Sequence, residues 1–148
     1  RLASSGQGTS LAMGDPCTGS SLWHHAELPS EVSEIRFSRD GKRLATSHQN
    51  VLLIWDADTG RQLRAFEQVP ERFNSLDWSP DDTRIVSGSP SSVSVWDVES
   101  GRVALRLDAP NRSSKVRWTP DGMRIIAGGE QIKVFDASRG YKLNQMKP

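Results

Sequence analysis

The chain has 148 residues, with 19 Lys and Arg against 18 Asp and Glu, a formal net charge of +1, and both signs are scattered along its whole length. That balance gives no electrostatic case for nucleic acid as the main ligand, and the lack of any run of about 18 apolar residues excludes a membrane-spanning helix. The single cysteine, Cys17, excludes an internal disulfide and a cysteine zinc cluster, and it suits a reducing, intracellular and cytoplasmic setting.

Arg1-Leu2-Ala3-Ser4 reads as a short strand, Gly6-Gln7-Gly8 as a hairpin loop and Thr9 to Met13 as a second strand. Asp15-Pro16-Cys17-Thr18-Gly19 comes next as a turn, and Ser21 to Leu28 as a further strand. These elements are weakly marked by themselves and gain their meaning from the repeats downstream. Ile35-Arg36-Phe37-Ser38-Arg39-Asp40-Gly41-Lys42-Arg43-Leu44-Ala45-Thr46 is a strand, an Asp-Gly turn and a second strand. Ile54-Trp55-Asp56 closes a third strand, and the turn Asp56-Ala57-Asp58-Thr59-Gly60 opens a fourth at Arg61 to Phe66.

The same grammar returns twice. Trp78-Ser79-Pro80-Asp81-Asp82 leads through Arg84-Ile85-Val86-Ser87 to Val95-Trp96-Asp97, and Trp118-Thr119-Pro120-Asp121-Gly122 leads through Arg124-Ile125-Ile126-Ala127 to Val134-Phe135-Asp136. Asp56, Asp97 and Asp136 stand 41 and 39 residues apart, and Phe37, Trp78 and Trp118 stand 41 and 40 apart. A fixed period near forty residues means an array of one small unit, here four antiparallel strands, a to d. The unit boundaries are 1–28 for a partial unit with strands b, c and d, then 29–69, 70–109 and 110–148 for complete units. The partial unit carries Gly14 where the others have Trp or Phe. A start within a strand, with no charged-then-apolar leader, is expected of a chain taken from a longer one.

The run aromatic, Ser/Thr, Pro, Asp, Gly, then Arg-Ile/Leu, then Val/Ile-Trp-Asp and Ser/Thr-Gly resembles the WD-repeat β-propeller family over almost the whole chain, with Trp55-Asp56 and Trp96-Asp97 in register and Phe135-Asp136 as a variant. The resemblance implies an all-β fold of four-stranded antiparallel blades around a channel, usually seven; about three and three-quarter blades fall in this chain, an incomplete ring where closure takes about four to eight. Strand a lies at the centre, the d–a and b–c loops on the top face, and the a–b and c–d turns on the bottom. The family's Gly-His dipeptide is absent: Glu27-Leu28, Gln68-Val69 and Asp108-Ala109 stand in its places. The b–c loops, His48-Gln49-Asn50, Ser89-Pro90-Ser91 and Gly129-Glu130, offer no Asp. The buried hydrogen-bond network of that family is therefore not expected, and packing should rest on Phe37, Trp55, Trp78, Trp96, Trp118 and Phe135.

The resemblance implies a non-catalytic scaffold for protein or peptide partners, with no cofactor and no metal. Its top-face positions fall on Glu31, Ser33 and His48 in the first complete unit, Arg72, Asn74 and Ser89 in the second, and Arg112, Ser114 and Glu130 in the third. Arg72 and Arg112 are the expected anchors, since Arg is favoured at binding hot spots. The open ends of the array expose apolar faces, to be covered by the remaining blades of a longer chain or by a second copy. The Trp-Ser-Pro-Asp segment is also similar to propellers attached to peptidases. A sensor propeller joined to a kinase or peptidase domain elsewhere is the alternative.

Competing site chemistry is poorly served. Asp56, Asp58 and Glu67 have partial calcium-loop spacing, but Arg61 stands where that loop needs Gly. His24, His25 and Cys17 fit no zinc pattern, and Gly6-Gln7-Gly8 lacks the third Gly and the helix of a dinucleotide loop. Asn111-Arg112-Ser113 is a glycosylation triplet by rule, expected to be idle in an intracellular chain. Asp81 and Asp82 are expected in a solvated a–b turn.

Overall fold

Turn chemistry decides where each strand stops. In the computed structural model, which describes residues 1–6, 9–66, 72–108 and 115–137, every a–b turn is closed by one hydroxyl and one carboxylate. Ser38 Oγ donates to Asp40 Oδ1 at 2.6 Å and accepts the Arg43 N–H at 2.9 Å, while the Lys42 N–H bonds the same Asp40 oxygen at 3.0 Å. Ser79 with Asp81 and Thr119 with Asp121 repeat the arrangement. In the second and third sheets the c–d turns use a carboxylate and the hydroxyl three residues on: Asp56 Oδ1 accepts the Thr59 N–H at 2.8 Å and its hydroxyl at 2.9 Å, and Asp97 holds Ser100 in the same way. Asp56 is thereby committed to its own turn.

Between these turns run β1 (Leu2–Ser5), β2 (Leu11–Gly14) and β3 (Ser21–His25), paired in that order as a three-stranded sheet. The second sheet holds β4 (Glu34–Phe37), β5 (Arg43–Ser47), β6 (Leu52–Asp56) and β7 (Gln62–Ala65). The third holds β8 (Ser75–Trp78), β9 (Arg84–Gly88), β10 (Ser92–Asp97) and β11 (Val103–Asp108). The fourth has β12 (Lys115–Trp118), β13 (Arg124–Gly128) and β14 (Ile132–Asp136), and its expected outer strand falls at 138–148, outside the described residues. Gln7 and Gly8 of the expected hairpin loop, and the triplet at 111–113, also lie outside them. All pairings are antiparallel between chain neighbours. The described residues contain no helix, so none is long and apolar enough to cross a membrane. The expected all-β array is borne out, and the four sheets do not close into a ring.

Each c–d pairing in the first three sheets shifts register at one equivalent place, between Met13 and Gly14, Ile54 and Trp55, and Val95 and Trp96. A bulge there increases the local twist of the outer strand. Twisted sheets then stack through alternate residues. Leu44, Leu53 and Trp55 face Leu11 and Met13 of the first sheet, while Ala45, Leu52 and Ile54 lie against Leu76, Trp78, Ile85 and Trp96 of the third. Val86, Val93 and Val95 pack in turn on Val116, Trp118, Ile125 and Phe135. Burying each large side chain is worth about 1.5–3 kcal/mol. Of the six aromatics expected to carry this packing, five are buried. Phe37 is only half-buried, because the first sheet has no inner strand to lie against it.

The junction of the first two sheets has an anchor with no counterpart in the sequence pattern. Trp23, on β3, donates its indole N–H to Ala57 O at 3.1 Å and lies against Gly60, where a Cβ would stand 2.7 Å from its ring. Gly60 also takes φ 71°. Glycine is required there twice over, by backbone conformation and by the ring above it.

Candidate functional site

The b–c loop of the second sheet turns tightly, with the His48 N–H bonded to Val51 O at 2.8 Å, and this tucks the imidazole inward. His48 is fully buried. Its Nδ1 lies 3.0 Å from Ser30 O and its Nε2 3.0 Å from Thr46 Oγ1, which also accepts the Trp55 indole N–H at 2.9 Å. The tryptophan can only donate and the carbonyl can only accept. Nδ1 therefore carries a proton, and with the ring in the neutral form that burial favours, the chain of bonds runs Trp55 to Thr46 to His48 to Ser30. Burial depresses the His48 pKa below the ordinary 6.5, with the bond to Ser30 O opposing. Two expectations are corrected here: a buried network does form, and His48 belongs to it rather than to a binding surface. The histidine missing before β4 is replaced by one after β5.

In the third sheet the Trp96 indole N–H bonds Ser87 Oγ at 2.8 Å, and Ser89 occupies the place of His48. Ser89 is buried as well, closing its own loop through Ser92 O at 2.9 Å to its N–H. It too is withdrawn from the partner-facing set. In the fourth sheet Phe135, Ala127 and Gly129 stand in the three places, and no such bond can form.

The inner strands carry a second network. Edge-strand N–H groups have no sheet partner on their free side, and side chains of the preceding sheet satisfy them. Glu34 accepts the Leu76 N–H at 3.1 Å, Ser75 Oγ the Val116 N–H at 3.4 Å, and Asp77 the Trp118 N–H at 2.8 Å. Glu34 is paired with Arg36 on its own strand and lies 3.6 Å from Arg117 of the fourth sheet, so one nearly buried carboxylate touches three sheets. Arg117 also donates to Ser75 Oγ at 3.2 Å. Charge alternation along these strands, Glu34-Arg36, Asp77 and Lys115-Arg117, was the available signal, but its partners lie a whole period away.

The remaining predicted residues divide by exposure. Glu31, Ser33, Arg72 and Glu130 are exposed and Asn74 is half-buried, while Arg112 and Ser114 lie outside the described residues. Backbone bonds fix Ser33 and Asn74 at the starts of β4 and β8: Ser33 N–H to Ser47 O at 2.7 Å and Asn74 N–H to Gly88 O at 2.8 Å. The Phe73 N–H bonds Gln49 O at 2.8 Å, which sets Arg72 beside the b–c loop of the second sheet. At the opposite, turn end, a cleft of about 410 Å³ separates the second and third sheets between Leu63, Arg64, Val98 and Glu99.

Asp81 and Asp82 differ from expectation in one respect. Asp81 closes its turn, but Asp82 is buried and its carboxylate accepts the Arg39 and Asp40 N–H groups of the second sheet at 2.7 and 3.0 Å. Among the other turn acids, Asp40 titrates below its usual range because Ser38 Oγ and the Lys42 N–H bind the ionised form, and Asp97 does so because of Ser100. His25 is engaged through Nε2 with Gly60 O at 2.6 Å. No cluster of three or more His, Cys, Asp or Glu placed for a metal occurs among the described residues. The arrangement supplies fixed, exposed polar groups on a braced frame.

No curated protein sequence matches the chain. The family described as WD domain, G-beta repeat matches residues 17–56 and 61–97. Each matched segment takes in the outer strand of one sheet and the inner three of the next, β3 with β4 to β6 and β7 with β8 to β10. With the repeated four-stranded sheets, the Trp-Asp pairs that close β6 and β10, and a match spanning more than half of its residues, the chain belongs to the WD40 repeat family.

Proposed function

We propose that this propeller segment is a non-catalytic, cytoplasmic scaffold that takes a protein or peptide partner on its top face, through Glu31, Ser33 and Arg72 with Asn74 at their edge, together with Glu130 and the equivalent sequence positions Arg112 and Ser114. WD40 repeats in general serve protein interaction and are in general non-catalytic. The observation that carries the finer reading is the bracing beneath these residues. Glu34 joins the inner strands of three sheets within a few residues of Glu31 and Ser33, so exposed polar groups there are presented at little ordering cost. The exposed free thiol of Cys17 supports a reducing setting. A peptide library selected on the chain, with the Arg72→Glu/Arg112→Glu variant as counter-target, tests it. Selected peptides should lose binding to the variant; equal binding to both defeats the assignment.

The end faces favour a second element of the proposal. Ile126 and Ile132 are 39% and 76% exposed, whereas their counterparts one period earlier, Val86 and Val93, are buried beneath the next sheet. Further blades of the same polypeptide are the preferred cover, and a second copy is the alternative. Sedimentation separates them: a defined dimer supports the second copy, open-ended self-association supports missing blades, and a well-behaved monomer defeats both.

A further inference from the structure

The junctions between the second and third sheets and between the third and fourth share one plan at their turn ends but are filled differently. At the earlier junction Asp82, at φ 57°, sends its carboxylate onto the Arg39 and Asp40 N–H groups. The Arg43 guanidinium donates to Asp82 O at 2.8 Å and lies 4.9 Å from the centre of the Trp78 ring. One period later Pro80 stands for Arg39, Asp81 for Asp40, Arg84 for Arg43, Trp118 for Trp78 and Gly122 for Asp82. The backbone plan is kept, with Gly122 at φ 70° and close to Pro80, where a Cβ would meet the ring carbons at 3.6 Å.

What the later junction lacks is the carboxylate. Its place is a nook of about 190 Å³ lined by Asp81, Arg84, Trp118 and Gly122. Trp78 gives its indole N–H to Arg36 O at 3.1 Å, but the buried indole N–H of Trp118 has no acceptor among the described residues. The acids on the rim do not oppose an incoming anion. Asp40 holds the same place as Asp81 and does not keep Asp82 out, because its carboxylate is turned back onto Ser38 and the Lys42 N–H. Asp81 is turned onto Ser79 and the Thr83 N–H, and Asp121 onto Thr119 and the Met123 N–H.

We propose that this nook binds an acidic side chain of a peptide partner. The carboxylate sits against the Asp81 N–H and beside Arg84, as Asp82 sits against the Asp40 N–H beside Arg43. Pro80 has no N–H, so one backbone donor remains where the earlier junction has two, and the site suits a reversible ligand better than a permanent clasp. It lies at the turn end, opposite the top face, and does not rest on the reading of that face.

Amide NMR spectra of the chain, titrated with a blocked tripeptide carrying a central aspartate, test the proposal. The Asp81 amide should shift saturably, and the asparagine version should bind on the order of tenfold more weakly. A tripeptide whose only carboxylate is its chain end separates the two sources of that group; binding confined to it overturns the assignment to a side chain. Gly122→Asp, whose backbone conformation Asp82 already tolerates, should fill the nook and abolish the response. An Asp81 amide that stays still, moves equally with asparagine, or still moves in Gly122→Asp overturns the site. If that variant does not fold, Arg84→Gln replaces it, with lost affinity expected and unchanged affinity overturning the proposal.

Discussion

The second and fourth sheets have the same inner strands in the same order and the same a–b turn chemistry, yet they are held in different ways. The second has Trp55, Thr46 and His48 in a buried chain of hydrogen bonds and lies between two neighbours. The fourth has Phe135, Ala127 and Gly129 at those places and, among the described residues, packs against the third sheet alone. Between them the third keeps half of the device, Trp96 on Ser87. A repeat thus survives the loss of its polar interior as long as its turns close and its apolar residues alternate, because a fully satisfied network and an apolar core of the same shape are close alternatives in energy. What the network adds is directional: it ties the b–c loop to the segment that enters β4.

The largest effect should come from breaking that network in its middle. Thr46→Val leaves the Trp55 N–H and the His48 Nε2 without partners and should cost about 2–3 kcal/mol in urea unfolding, whereas Ser87→Ala in the third sheet, which strips one donor of its partner, should cost about 1 kcal/mol. Equal costs would mean the network contributes nothing specific to the second sheet. Glu34→Gln, which weakens the contact joining three sheets, should cost about 2 kcal/mol and loosen the Leu76 amide in hydrogen exchange. If Leu76 protection is unchanged, the inner-strand network does not couple the sheets.

A smaller effect is expected from pH. The unfolded His48 titrates near the ordinary 6.5 and the folded one below it, so protons bind the unfolded chain preferentially in that interval. Stability should be intact above 6.5, fall as pH drops from there toward the depressed folded value, and level off below it. The turn carboxylates, depressed below 3.8 by their hydrogen bonds, withdraw their contribution only as pH falls further. His48→Gln should erase the first decline and leave the second; a variant with both declines would assign the first to another group. The finest discrimination is local opening, where β14 amides should exchange before those of β6, since arrays open from their less supported end.

The period, the strands and the turns were legible because each is encoded within a few residues. Asp40 and Gly41 mark a turn wherever they stand, and Trp55-Asp56 closes a strand by its own turn chemistry. The candidate site was legible only in part. Glu31 and Arg72 are exposed as expected, but His48 in a three-residue loop reads as a surface histidine until the ring is seen beneath Thr46. Asp82 looked like a second solvated acid of its turn, since nothing local says that its carboxylate serves residues 39 and 40. Glu34 has the same character. Groups whose partners lie one period away carry no mark in their own neighbourhood.

The offset between the matched segments and the sheets has an evolutionary consequence. Because residues 17–56 supply the outer strand of one sheet and the inner strands of the next, a gene that gains or loses one such segment by unequal crossover leaves the sheets on either side with as many strands as before. The splice falls inside a sheet yet leaves no vacancy, and a lineage can change its number of vanes without passing through a broken intermediate.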